Sequence, residues 1–289
     1  MNIHSQAPSA ENISWLRDRV NGIHQRNRQR GSASWCGHSY DFTCPSHETY
    51  PFQWFWDSCF HAIALSHIDI NKAEAELFSL LKNQHADGFI SHVTFWQRDV
   101  YEEMVSTYDI AFRTKYLSDE MQPPLLAEAV NAVAQRGRGK DFLKEILPGV
   151  IRFYEWCHAV RSPYNDGLIR VIQPDETGLD HSPKWDELMK IRDEEHISFE
   201  RGWKLICDQY LPFNRDPKKM IETDYFVVAD VMVNVIYIEN LRVLAQLCAS
   251  IGDGEGEKRY AERAAIVRKS LDELCWDESD GLYYDVNGK

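Results

Sequence analysis

Asp166–Val171 reads DGLIRV. An Asp-Gly turn runs straight into an extended apolar stub, and the arrangement recurs as DGFISH from Asp87 and DGLYYD from Asp280. Glycine suits a left-handed turn position, and each stub predicts one arm of a brief hairpin. The intervals between the three copies are unequal, which excludes a solenoid. Helices that end in such turns fit a circular array of helix pairs whose long loops gather on one face. The predicted fold class is therefore all-α, an α/α toroid.

Helical periodicity supports this reading. Apolar spacing predicts helices over 14–29, 56–68, 72–83, 107–117, 125–135, 141–160, 183–195, 224–251 and 255–274, with very little strand. Between them there is no low-complexity linker, so residues 1–289 read as one domain.

Bulk composition narrows the function. With 32 basic and 45 acidic residues the formal charge is −13, which disfavours phosphate backbones and hence nucleic acid as partners. The most apolar segment, Phe226–Ile238, is interrupted by Asp230 and Asn234 and is too short to span a bilayer. The first residues carry no apolar leader, and seven irregularly spaced cysteines with no CxxC pair suggest neither zinc nor a disulfide framework. The expectation is a cytoplasmic protein with reduced thiols, no membrane partner and no cofactor. Nine tryptophans and thirteen tyrosines, several beside acids, suit a sugar site. Pyranose C–H faces pack on rings while hydroxyls seek polar partners.

Downstream of DGLIRV, Pro174–Asp186 reads PDETGLDHSPKWD, with four carboxylates, a histidine and a tryptophan in thirteen residues. Ser182 and Pro183 suit the N-cap and N1 positions of a helix. On that reading Asp180 precedes the helix, Glu176 and Asp186 flank it, and Trp185 forms an apolar wall. The acids could simply complement the helix dipole. Alternatively Asp180 is a general acid that donates a proton to a departing glycosidic oxygen. The dipole would then oppose the raised pKa such a group needs. A second aromatic–acid patch, Trp54–Asp57, lies at the start of the 56–68 helix, where Asp57 could cap the helix or accept from sugar hydroxyls and Trp56 could stack on a ring. Gln122 precedes Pro123-Pro124, which hold it extended.

Taken in order, Trp56-Asp57, the QHADGFISH of 84–92, the QPP of 122–124, the ETGLDHSPKWD of 176–186 and DGLYYD resemble glycoside hydrolase family 63. That group includes processing α-glucosidase and the mannosylglycerate and glucosylglycerate hydrolases, with trehalases as distant cousins. The resemblance runs from about Tyr50 to the last residues and implies an (α/α)6 toroid and an inverting hydrolase of α-glycosidic bonds in small glucosides, mannosides or oligosaccharides. It places the general acid at Asp180 and sugar ligands at Trp56, Asp57 and Gln122, and matches Trp185 to the block's closing WD, where a structural role stands beside a substrate-binding one. Glu176, the acid flanking the loop, is a further substrate-binding candidate. In inverting enzymes the two carboxyl groups stand about 6.5–9.5 Å apart to admit a water.

Some positions depart from the family pattern. Asp175 stands where an aromatic residue is usual, and His181 where asparagine is common. Arg215 and Tyr225 are the nearest counterparts of the arginine and tyrosine that hold a glycerate carboxylate, though their spacing differs. The family's base is a glutamate in the last helices, and about nine of twelve helices are expected here. The sequence reads as a C-terminally truncated toroid whose base lies beyond Lys289, with neither Glu176 nor Glu222 as a substitute. The alternatives are a non-catalytic sugar-binding toroid and an epimerase using histidines such as His61, His92 or His181.

Overall fold

In the computed structural model, residues 9–108, 112–189 and 199–288 are described. Helix α1 (Ala10–Asn27) starts where the Ser9 hydroxyl accepts the Asn12 N–H and ends at extended Arg28. A hairpin follows, β1 (Arg28–Ala33) antiparallel to β2 (His38–Thr43), with Arg28 opposite Thr43 and Ala33 opposite His38. Its residues do not predict a strand pair, because few apolar side chains alternate along RQRGSA and HSYDFT. Its inward residues Ala33, Tyr40 and Phe42 pack with Cys44 and Trp96 in a satellite core.

Three helical hairpins form the main body. They are α2 (Phe55–Ser66) with α3 (Ile70–Leu81), α5 (Leu126–Arg136) with α6 (Lys140–Arg161), and α9 (Val231–Ile251) with α10 (Gly254–Leu274). The first helices of the pairs, α2, α5 and α9, pack side by side as an inner arc. Helices α3, α6 and α10 flank them outside, with α3 also reaching α5 and α6 reaching α9. Alternating inner and outer helices are the α/α toroid arrangement, and one apolar core runs through all three pairs. Helix α9 is long and apolar enough to cross a membrane by composition, but 61% of its most apolar window is buried in this core.

The Asp-Gly turns do what their sequence implies. Gly88, Gly167 and Gly281 adopt φ of +101°, +80° and +65°. The Asp87 and Asp166 carboxylates accept the N–H groups of Phe89 and Leu168. The stubs beyond them converge on the residues leading into inner helices. The first leads into β4 (Val93–Thr94), which pairs with β3 (Gln53–Trp54) just before α2. Val171 bridges Val228 in β5 (Val228–Ala229), just before α9, and β8 (Val286–Asn287) pairs with the same strand. The last stub also forms β7 (Leu282–Tyr283) against β6 (Trp276–Asp277).

Several predicted helices differ from the structure. The helix near 107–117 is α4 (Arg98–Tyr108); Thr114 and Leu117 instead form isolated bridges, and 109–111 lie outside the described residues. Over 183–189 there is one 3-10 turn, Pro183–Trp185, and the rest of that predicted helix, 190–195, lies outside the described residues. Helix α9 begins at Val231 rather than 224, because Asp230 caps it and β5 occupies 228–229. Between the acid block and α9 lie two further helices, α7 (Phe199–Tyr210) and α8 (Pro217–Glu222).

Candidate active site

The first turn of α2 carries Trp56 and Asp57, and Trp54, its N-cap residue, makes no side-chain capping bond. The missing partners come from elsewhere in the chain. The Phe55 N–H donates to the His92 carbonyl at 2.9 Å, and the Trp56 N–H donates to Gln122 Oε1 at 2.9 Å. Gln122 therefore caps α2 from a segment 66 residues away, satisfying a first-turn donor that the helix cannot satisfy itself. Gln122 is itself buried, and the cap occupies its Oε1. Of the two roles open to Asp57, capping α2 is not seen, since the N-cap position is Trp54; its half-buried carboxyl is pushed up to about 6 by burial.

Gln122 is in turn fixed to the acid block. The Met121 N–H donates to Glu176 Oε1 at 3.0 Å, and the Ile172 N–H to Glu176 Oε2 at 2.8 Å. Arg161, at the end of α6, donates to the same two oxygens at 2.5 and 3.0 Å. Both side chains of this pair are 0% exposed. Glu176 therefore joins the Gln122 segment to the 3-10 turn Pro174–Thr177, and no face of it is open to a sugar. The substrate-binding role expected of Glu176 is corrected to that of an internal brace.

Gly178 closes the triangle. It ends the 3-10 turn at φ +70°, with its Cα against the Trp56 indole. Two residues on, Asp180 is half-buried, and burial raises its carboxyl above the usual range against the opposing pull of its own N–H and His181. Among the described residues no α-helix starts at Ser182 to hold this pKa down, since Pro183–Trp185 is a single 3-10 turn and Ser182 makes no side-chain cap. Trp185 is 1% exposed, with its indole N–H donating to the Leu179 carbonyl at 2.9 Å. It is buried under the loop, so of the structural and binding roles open to it Trp185 takes the structural one, and its expected substrate-binding role is corrected.

A charged cluster borders the same segment. Arg215, on a left-handed residue after α7, is ion-paired with Glu120 and lies 3.1 Å from Asp119. Its charge is already matched by two carboxylates just before Gln122. Burial and the neighbouring Glu120 push Asp119 up to about 7. Burial also holds His92 and His61 near 4, so both stay neutral at physiological pH, and His61 packs edge-on against His24. An epimerase acid–base pair at these two positions is not supported. Among the described residues no group of three His, Cys, Asp or Glu is placed to hold a metal ion. Two surface grooves, about 830 Å³ between α9 and α10 and about 900 Å³ between the β1–β2 hairpin, α3 and α6, include none of these site residues.

The mannosylglycerate hydrolase MGH1-like glycoside hydrolase domain matches residues 50–289. The chain belongs to this family. Within it, the chain is 30% identical over 270 residues to mannosylglycerate hydrolase of Thermus thermophilus, covering 84% of this chain and 64% of that protein. It is 30% identical over 153 residues to glucosylglycerate hydrolase of Mycolicibacterium hassiacum, covering 47% and 34%. Among solved structures, family 63 mannosylglycerate hydrolase from Thermus thermophilus in complex with Tris and D-glycerate aligns with a TM-score of 0.75 at 26% identity. That alignment covers 93% of this chain and 67% of the other. The MGH1-like chain thus spans less than two thirds of the length of the Thermus relative. Its toroid fold and the family 63 resemblance read from the motifs stand on these matches.

Proposed function

We propose that the protein is an inverting glycoside hydrolase in which Asp180 protonates the departing glycosidic oxygen. Its substrate is a small α-glucoside or α-mannoside, and the glycerate glycosides named for its relatives are the first candidates. One observation carries the reading: the segments bearing Trp56-Asp57, Gln122 and Asp180 are mutually braced at the N-terminal ends of α2 and α5. A carboxyl raised by partial burial, two residues from an indole-packed glycine, suits a proton donor. Trp56 supplies a ring face, and Asp57 and the Gln122 amide supply hydrogen-bonding groups for sugar hydroxyls.

Neither Glu176 nor Glu222 serves as the base. Glu176 is locked by Arg161 and two backbone donors, and Glu222 is exposed at the end of α8. The test is proton NMR of the first sugar released by the intact protein, across mannosylglycerate, glucosylglycerate, trehalose, kojibiose and nigerose. A β-anomer appearing before mutarotation is expected. From the two glycerate glycosides, release of the α-anomer first contradicts the reading, as does no hydrolysis of any of the five; the three disaccharides, whose other glucose contributes α-anomer in any case, report hydrolysis alone.

A further inference from the structure

Lys184 lies four residues after Asp180, and its ammonium joins three parts of the fold. It is ion-paired with Asp230, sits 2.9 Å from Asp285 Oδ2, and lies 4.2 Å over the Trp185 ring. Asp230 is buried and caps α9, its other oxygen accepting the Val233 N–H at 2.7 Å. Asp285, just before β8, accepts the Val231 N–H at 2.7 Å. Each carboxylate therefore spends one oxygen on the first turn of α9 and the other on Lys184. Because β8 pairs with β5, the anchor is itself tied at both ends. On the opposite side of the loop, the Trp185 indole N–H holds the carbonyl of Leu179, the residue before Asp180. The span 179–185 is thus pinned on both flanks of the acid, although it contains only one turn of 3-10 helix.

We infer that Lys184 is a positioning residue for Asp180, fixing the acid loop to the N-terminus of α9 through Asp230 and Asp285. The inference rests on the general-acid reading above. A bridge that served stability alone would have no preference among leaving groups. A bridge that aims the acid matters only where the leaving group needs a proton, because fluoride departs with little protonation and an alkoxide does not.

The test uses Lys184→Met in the intact protein, assayed on mannosylglycerate and glucosylglycerate and, in parallel, on α-mannosyl and α-glucosyl fluoride. Turnover of the glycerate glycosides is expected to fall by about 10²-fold, the order produced by an ångström of misplacement, with KM and fluoride turnover unchanged. Lys184→Arg should restore most of the loss. Equal losses on both substrate classes, or no loss on either, overturn the inference. If Lys184→Met does not fold, Asp285→Asn should show the same split, and its absence there overturns the inference equally. Asp180→Ala runs alongside as the control. A split in Asp180→Ala without one in Lys184→Met removes only the positioning role, whereas no split in Asp180→Ala removes the general-acid reading beneath it.

Discussion

Gly178 lies against the indole of Trp56 so closely that a Cβ at 178 would sit 2.2 Å from the ring carbon Cζ2. Its φ of +70° separately disfavours any side chain. One residue thus meets two demands, a left-handed turn before the acid and a flat seat for the ring. Gly178→Ala should cost roughly 1–2 kcal/mol from the backbone alone. The clash should also push Trp56 or the acid loop out of place and lower kcat. Thermal unfolding and steady-state kinetics check both effects, and an unchanged kcat would show that the contact does not shape the site.

Glu176 accepts four hydrogen bonds in a site closed to water. Glu176→Gln keeps the shape but leaves Arg161 buried without its counter-charge, so a destabilisation of roughly 3–5 kcal/mol is expected. Denaturant unfolding measures it. Had Glu176 been a sugar ligand, the same substitution would raise KM and leave the unfolding midpoint in place.

Asp57 predicts a pH signature. Its folded pKa of about 6 is raised above the ordinary carboxylate value by burial. Between the two values the native state holds more protons than the unfolded chain, so stability is lost as pH rises through about 6. Asp57→Asn should flatten that slope and stabilise the protein at pH 7 by roughly 1–3 kcal/mol. If Asp57 binds the sugar, turnover should collapse in the same variant. Urea melts at pH 4.5 and 7.5 read the first effect and a hydrolysis assay the second.

Much of the fold was legible because helical spacing is long-lived in this chain. The pairs α5–α6 and α9–α10 were predicted from periodicity, and the three Asp-Gly turns from residues that favour left-handed backbone. What the sequence hid is what depends on distant partners. Nothing near Arg161 announces that it meets Glu176, and nothing near Gln122 announces that it caps α2. Glu176 and Trp185 look like pocket residues because acids and indoles are usually outside or at rims. Their burial follows from partners that local patterning does not reveal. The β1–β2 hairpin was missed for a related reason, since Tyr40 and Phe42 alternate inward over too short a run to outweigh the polar residues around them.

Hydrolysis of mannosylglycerate and glucosylglycerate by the intact protein carrying Asp180→Asn probes the assigned proton donor most directly. The amide cannot give up a proton, so turnover should fall by about 10²–10⁴-fold or more while the glycosides still bind. Turnover by Asp180→Asn at the rate of the unaltered protein would contradict the assignment.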